Sequence, residues 1–540
     1  MMIEDRIRAM TADYVSSSSH PLIRKPILKP ADMSYNVQII YAKGSTTLHM
    51  FNRTLGADNF KEALQYYQKK EINENVVHQQ LYDAFKQYWE HDYNSTKFFD
   101  SWANQAGFPY VNITCEDGKK CQYSQARFSN NINDKTIYSL PYSYYTHDNG
   151  EEFVLSKIEF KDNQTDELSH GENFIKINPD FQGYFLINYP KKHWDLLAKK
   201  MVENKNNFVN KLSVNDRSEL LFSAYLLTRD GYADPSILLP FFNYLKHEKH
   251  FVPFQVYQYI KRTEGYRLEV SEYQESIRAF ERRIVDAHYN DELWNLKNKS
   301  NPDISYNRYI LEMACRSGYQ KCIEKALSKF DDFRKNPDDT APDLKEIIAY
   351  YGMRYSSDLV VNEALSDFVK LFKDSKPNNP WKFLYRNAPA MTSSFDIAKN
   401  YLEIAVNETI YSKDDYLRIL TSIISNIKIR KNIIEWIYEN TSFLKKKFTV
   451  LQNRELFQVI ANSIQKENEK VALKNALDKL EISSTSFLST IDENIRWLNK
   501  NAKRFGTWYN ENGVKLKFFF LISSFLILII LLIYFLVWHK

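Results

Sequence analysis

Ile40-Tyr41-Ala42-Lys43-Gly44-Ser45-Thr46-Thr47-Leu48-His49-Met50-Phe51, preceded by Ser19-His20-Pro21, is the stretch around which the rest of the chain can be read. A tyrosine followed by Lys-Gly opens a helix. Leu48, Phe51 and Leu55 recur in it at i, i+3 and i+7, which predicts one buried face. Gly44 is expected to permit close backbone approach. Tyr41 is expected at the helix mouth, its phenol free to donate a hydrogen bond.

Working outward, 540 residues exceed what one hydrophobic core supports, so about two to four units are expected. Only 13 glycines, many Lys, Glu, Asn and Leu, and long amphipathic runs argue for a mostly helical protein. The 37 tyrosines and 35 phenylalanines suit bulky helix-helix packing. A net charge of +5, spread along the chain without a basic block, excludes a nucleic-acid partner as the reading of composition.

Residues 518–538 form an apolar run interrupted by Ser523, Ser524 and Tyr534, with Lys515 and Lys517 on one side and His539 and Lys540 on the other. Its length matches a hydrocarbon core of roughly 30 Å, which predicts a transmembrane helix. A lipid-anchor signal is the rival, with Asn512 and Gly513 as the small upstream residues, but the polar spacer it requires is missing. The opening Met1-Met2-Ile3-Glu4-Asp5-Arg6 has no apolar run of a secretory signal. Read with Lys500, Lys503, Arg504, Lys515 and Lys517 on the body side, it suggests a tail-anchored protein with a cytosolic body.

Other features point to an extracellular or lumenal body. Asn-x-Ser/Thr sequons occur at Asn52, Asn94, Asn112, Asn163, Asn298, Asn407 and Asn440, although an asparagine-rich chain produces several by chance. The cysteines form two close pairs. Cys115 and Cys121 flank a turn between two β-like runs; Cys315 and Cys322 flank the link between two helices. Local pairing with no odd thiol favours disulfides and an oxidising compartment; four buried or free thiols are the alternative. The spacings are not those of a metal site.

Residues 1–99 are expected to be helical with an extended lead-in set by Pro21, Pro26 and Pro30. Phe60, Ala63, Leu64 and Tyr67 mark a second helix, and Leu81, Phe85, Tyr88 and Trp89 a third. This piece reads as the end of a larger domain. From 100 to 190 the period is two, in Tyr110–Thr114, Phe153–Leu155, Lys157–Phe160 and Phe174–Ile177, with turns at Asp148-Asn149-Gly150 and Asp162-Asn163. A small antiparallel β-sandwich is expected there. From 191 to 511 short helices follow one another, as in an α-solenoid of stacked pairs.

No complete catalytic constellation is present. There is no His-Glu-x-x-His, G-x-S-x-G, P-loop or G-x-G-x-x-G. His247-Glu248-Lys249-His250 has an i, i+3 histidine pair but no third ligand at a recognisable interval, and reads as a helix end. His170-Gly171-Glu172-Asn173 reads as a polar loop between β runs.

From about residue 14 to 511 the ordered segments resemble the zinc aminopeptidases of the aminopeptidase N and endoplasmic reticulum aminopeptidase family, the gluzincin aminopeptidases. Ser18-Ser19-His20-Pro21-Leu22 and Tyr41-Ala42-Lys43-Gly44 resemble that family's lead-in and its Tyr-x-Lys-Gly helix start. Leu55 to Phe60 continue the pattern. Trp102 with Gly107-Phe108-Pro109-Tyr110-Val111 is similar to the entry into the β-sandwich, and Gln125-Ala126-Arg127-Phe128 to its next strand. Gly183 to Tyr189 with Trp194 is similar to the exit, although Leu186 stands where an arginine is common. Asn215-Asp216-Arg217 and Tyr244 to Glu248 resemble the start of the helical domain, which makes His247 structural. Cys315 and Cys322 around Gly318 resemble the family's disulfide hairpin, and Asn494-Ile495-Arg496-Trp497 its last helices.

The resemblance implies the end of a thermolysin-like catalytic domain (1–99), the β-sandwich (100–190), a HEAT- or armadillo-like helical domain (191–511) and the membrane helix (518–538). It makes Tyr41 the donor to the oxyanion that forms when zinc-bound water attacks a peptide carbonyl, a role worth roughly 3–4 kcal/mol in a working site. The family's zinc helix and its Gly-x-Met-Glu-Asn loop are not in this sequence. Zinc is therefore a cofactor of the family, with no ligand set expected here, and Tyr41 is expected to be idle. Ala42 stands where the family has a polar residue. The expected function is a non-catalytic, membrane-tethered module that binds peptides or partners, with a homo- or heterodimer through the helical domain as a further possibility. The alternative is the C-terminal part of an active zinc aminopeptidase that removes N-terminal amino acids from peptides.

Overall fold

Apolar residues recurring every three or four positions, with few glycines to interrupt them, make helix the default state of this chain. The computed structural model describes residues 2–14, 19–23, 38–72, 74–116, 120–129, 134, 136–147, 152–171, 174–269 and 271–538, with backbone alone at 2, 147, 264–266, 269 and beyond 513. The Pro26 to Pro30 lead-in, the turns at 117–119 and 148–150, Glu172-Asn173 and the side chains of 518–538 lie outside the described residues. The chain forms two compact units, residues 1–260 and 261–540.

The first unit begins with the helix Met2–Tyr14. A π-helical turn, Ile39–Lys43, runs directly into the helix Gly44–Leu55, and the helices Ala57–Lys70, His78–Gln87 and Ser95–Ala103 follow. Asn94 caps the last of these by accepting a hydrogen bond from the Lys97 amide at 2.9 Å. Phe51, Phe85, Phe98 and Phe99 form an aromatic core, with Phe51 4.8 Å from Phe99 between ring centroids.

The buried face of Gly44–Leu55 differs from the sequence expectation. Phe51 and Leu55 are buried, but Leu48 is 42% exposed. The inward stripe is Thr47, Met50, Phe51, Thr54 and Leu55. Spacing of i, i+3, i+4 and i+7 places position 47, not 48, over this core.

Nine strands occur among the described residues: β1 Pro109–Glu116, β2 Lys120–Arg127, β3 Leu140–Tyr142, β4 Tyr144–His147, β5 Phe153–Leu155, β6 Glu159–Lys161, β7 Thr165–Leu168, β8 Lys176–Ile177 and β9 Leu186–Asn188. They form three small sheets, ordered β7-β2-β1-β9, β3-β6 and β5-β4-β8. β9 pairs parallel with β1, so the largest sheet is mixed and not wholly antiparallel. The long return from β2 to β9 permits this; a tight turn would not. The β1–β2 register sets Cys115 opposite Cys121, and the two are disulfide-bonded. Helices resume at Lys191–Glu203 and continue through Val214–Arg229 to Phe251–Ile260 within the same unit.

The second unit is a succession of helices. Asn301–Ser317 stops at Gly318, whose φ of +84° is the left-handed conformation that glycine adopts without a Cβ penalty. Gln320–Lys335 then turns back, and a disulfide joins Cys315 to Cys322. The last helix, Thr485–Trp538, packs along Gln274–Asp286. Trp508 and Tyr509 meet Phe280, with centroids 5.1 and 5.5 Å away. A Cβ at Gly513 would lie 2.7 Å from the Ser276 carbonyl oxygen. The smallness of Gly513 thus has a packing cause. Among the described residues no helix is long and apolar enough to cross a membrane.

Candidate functional site

Tyr41 sits within the π turn, one step earlier in the path than an α-helix mouth, and is 74% exposed. The turn is held from beneath. Lys43 is fully buried, and its ammonium meets Asp13 Oδ2 at 2.9 Å and the carbonyls of Gln105 and Gly107 at 3.2 and 3.0 Å. These three acceptors match the three donors of a lysine. Burial pulls the Lys43 ammonium below its ordinary value, while Asp13 opposes that shift. Asp13 also accepts from Ser19 Oγ at 2.6 Å, the Gly107 amide at 3.2 Å and the Tyr184 hydroxyl at 3.4 Å. A charge buried this deeply is tolerated because every lone pair facing it has a donor.

Arg6 extends the frame. It donates to the Gly183 and Gln182 carbonyls at 2.8 and 3.2 Å and lies 4.2 Å over the Phe181 ring. His49 Nδ1 is 3.3 Å from the Arg6 guanidinium. Burial first, then the Arg6 and Arg53 charges, push His49 down to about 4, so it is neutral at pH 7. Gly44 has no tight neighbour: a Cβ there would meet only Leu22 Cδ2 at 4.0 Å. The close approach expected of this glycine does not occur, because the turn is fixed by Lys43 and not by backbone contact at 44.

The remaining sequence candidates do not converge on Tyr41. His247 directs Nε2 to the Val202 carbonyl at 2.9 Å, and Glu248 is buried in a bidentate pair with Arg217 at 2.7 and 2.8 Å. His170 stacks on Tyr142 and meets its hydroxyl at 2.7 Å. Leu186 is buried in β9. Of the sequon asparagines, Asn94, Asn163, Asn298 and Asn407 are exposed, while Asn52, Asn112 and Asn440 are half-buried; Asn112 accepts from Asn188 at 2.9 Å. Sequence reading missed Asp13, Lys176 and Glu219, and it singled out Asp216 without its pairing to Lys176. Their only signal is charge inside apolar periodicity.

Among the described residues no three His, Cys, Asp or Glu side chains are grouped to hold a metal ion. The donor set here does not fit zinc. What the arrangement offers chemically is one exposed phenol on a rigidly held turn.

A tyrosine-bearing helical end, a strand-rich module and a long helical array, in that order, define an aminopeptidase-like C-terminal architecture. The family model described as "ERAP1-like C-terminal domain" matches residues 174–496, and "Peptidase family M1 domain" matches residues 1–102. The chain belongs to the M1 aminopeptidase family, whose members depend on zinc. It is 24% identical to human glutamyl aminopeptidase over 539 residues, covering 94% of this chain and 53% of that relative. It is 22% identical to the rat thyrotropin-releasing hormone-degrading ectoenzyme over 525 residues, covering 89% and 47%. The chain spans about half the length of the curated relatives it matches.

Proposed function

We propose that this chain is a membrane-anchored, aminopeptidase-like module that engages peptides and does not hydrolyse them through its own residues. The observation that carries this reading is the exposed phenol of Tyr41 on a buried Lys43–Asp13 frame, with no metal-binding group among the described residues. A phenol can donate to a peptide carbonyl, but alone it supplies neither a nucleophile nor a base. The apolar run 518–538 supports anchoring. The two disulfides support a body on the extracellular or lumenal side, where Asn94, Asn163, Asn298 and Asn407 would be accessible for glycosylation. The test is to purify the chain, dialyse it against zinc and assay an aminoacyl-amide. Substoichiometric zinc and no released amino acid are expected; stoichiometric zinc with turnover would overturn the reading.

The intact support beneath Tyr41 favours a second reading, in which this chain completes a site whose zinc-binding half comes from other residues. In a protein that joins the two halves, Tyr41→Phe would lower kcat by about 10²–10³-fold with KM little changed, the effect of losing one oxyanion donor. An unchanged kcat would sink that assignment.

A further inference from the structure

Within the second unit, and independent of the reading of Tyr41, a cavity of about 160 Å³ is lined by Lys261, Arg278, Glu281, Arg316, Arg354 and Asn426 together with a few apolar side chains. Four cations face it against one carboxylate. Glu281 is already engaged: Lys261 Nζ lies 2.6 Å from its Oε1 and Arg316 Nη2 lies 3.1 Å from the same atom. Arg316 also reaches Glu312 at 3.9 Å. Burial alone would raise the Glu281 carboxyl, but those two cations hold it below the ordinary carboxylate range, so it stays charged and committed to them.

Arg278 and Arg354 have no ion-pair partner among the described residues. The Nε of Arg354 is buried without a hydrogen-bond acceptor, which leaves only the terminal nitrogens of this guanidinium to meet an anion. Two guanidinium groups beside a polar cavity, with no carboxylate of the chain paired to them, can take an acceptor from outside it. The volume sets the size of that acceptor. At ~30 Å³ per water it holds about five waters. That is room for a tetrahedral oxyanion with a few waters, and far below the roughly 300 Å³ where sites for drug-sized ligands begin.

We propose that this cavity is a binding site for a compact oxyanion of phosphate size, held by Arg278 and Arg354 within the field of Lys261 and Arg316. Guanidinium groups recognise such an anion through paired, parallel N–H donors. The occupant bridges elements far apart in sequence: Gln274–Asp286 carries Arg278, Asn301–Ser317 carries Arg316, Pro342–Tyr355 carries Arg354, and Asn426 follows Lys413–Ser425. Anion binding therefore clamps helices of the helical array.

The test is calorimetric titration of the purified full chain in detergent, with sodium phosphate in one arm and succinate in the other, against buffer of matched ionic strength. Saturable binding of at least one anion is expected, and the tighter arm identifies whether a phosphoryl or a carboxylate group is the better fit. Arg354→Gln and Arg278→Gln should each weaken that binding at least tenfold, whereas the exposed Lys474→Gln should leave it unchanged. Because either arginine variant could misfold, phenylglyoxal labelling of the unsubstituted protein is read in parallel by mass spectrometry. The bound anion should protect Arg354 from modification. No saturable binding in either arm, affinity unchanged in both arginine variants, or equal labelling with and without anion would overturn the proposal.

Discussion

Lys43→Met should destabilise the first unit by about 3–5 kcal/mol, the cost of leaving one member of a buried ion pair without its partner. The Lys43 and Asp13 side chains are both 0% exposed, so water cannot take the place of the lost ammonium. Asp13 would keep its donors from Ser19, Gly107 and Tyr184, but three neutral donors do not replace a cation at 2.9 Å. The carbonyls of Gln105 and Gly107 would each lose their lysine donor as well. Hydrogen exchange is the suitable readout, because a chain of two compact units need not unfold in one step. Protection of the Gly107 amide and of Gly44–Leu55 should fall by the equivalent of that energy. The double variant with Asp13→Asn should lose less than the two single variants combined, since it leaves no buried charge unpaired. Protection within 1 kcal/mol of wild type would show that Lys43 does not hold the Tyr41 turn.

Lys176→Met should cost a similar ~3–5 kcal/mol by the same physics, with a distinct dependence on pH. Lys176 on β8 is fully buried and meets Asp216 Oδ1 at 3.0 Å and Glu219 Oε2 at 3.1 Å, both from the helix Val214–Arg229. It also donates to the Ile177 and Asn178 carbonyls at 3.1 and 2.9 Å. Burial works against the Lys176 charge, but the two carboxylates outweigh it and hold the ammonium above its ordinary value. Its stabilising contribution is therefore complete below the unfolded lysine pKa and lost only as pH rises through the folded one. Burial raises the Glu219 carboxyl despite Lys176. A carboxyl whose folded pKa exceeds its unfolded one takes up a proton on folding, so acidification through that window favours the native state. Without Lys176 the two carboxylates face each other and Glu219 rises further. The deficit of the variant should shrink between pH 7.5 and 5.5, as followed by thermal denaturation; equal deficits at both pH values would refute the coupling. Asp216 adds a second reason for sensitivity, because it accepts from the Asp180 amide at 2.6 Å and closes the capping box with Ser213.

The two lysines mark the boundary of what the chain discloses in one dimension. Helix periodicity places Phe51 and Phe85 inward, and both are buried. Period-two runs locate β1, β5 and β6 within a residue or two. The short cysteine spacings identify both disulfides, since a bond between residues so close in sequence needs little more than a turn or a helix hairpin. Tyr41 is legible as an exposed phenol, because its neighbours Ile39 and Ala42 take the buried side of the turn.

Long-range pairing is what the sequence does not reveal. Asp13 and Lys43 are thirty positions apart and Lys176 and Glu219 more than forty, and no local pattern selects one carboxylate from the 67 acidic residues. Leu48 shows the same limit: its spacing to Phe51 fits a buried stripe, and only the position of the aromatic core decides that Thr47 faces inward instead. The parallel pairing of β9 with β1 likewise follows from the path between them and not from the three residues Leu186 to Asn188. By itself the sequence determined the helical class, the strand-rich interval, the disulfide partners and Tyr41, all of which rest on interactions within a few residues. The tertiary structure decided the buried charge frame under Tyr41, the inward face of its helix and the basic cavity between helices. Each of those depends on bringing distant segments into one low-dielectric environment, where an unpaired charge cannot persist.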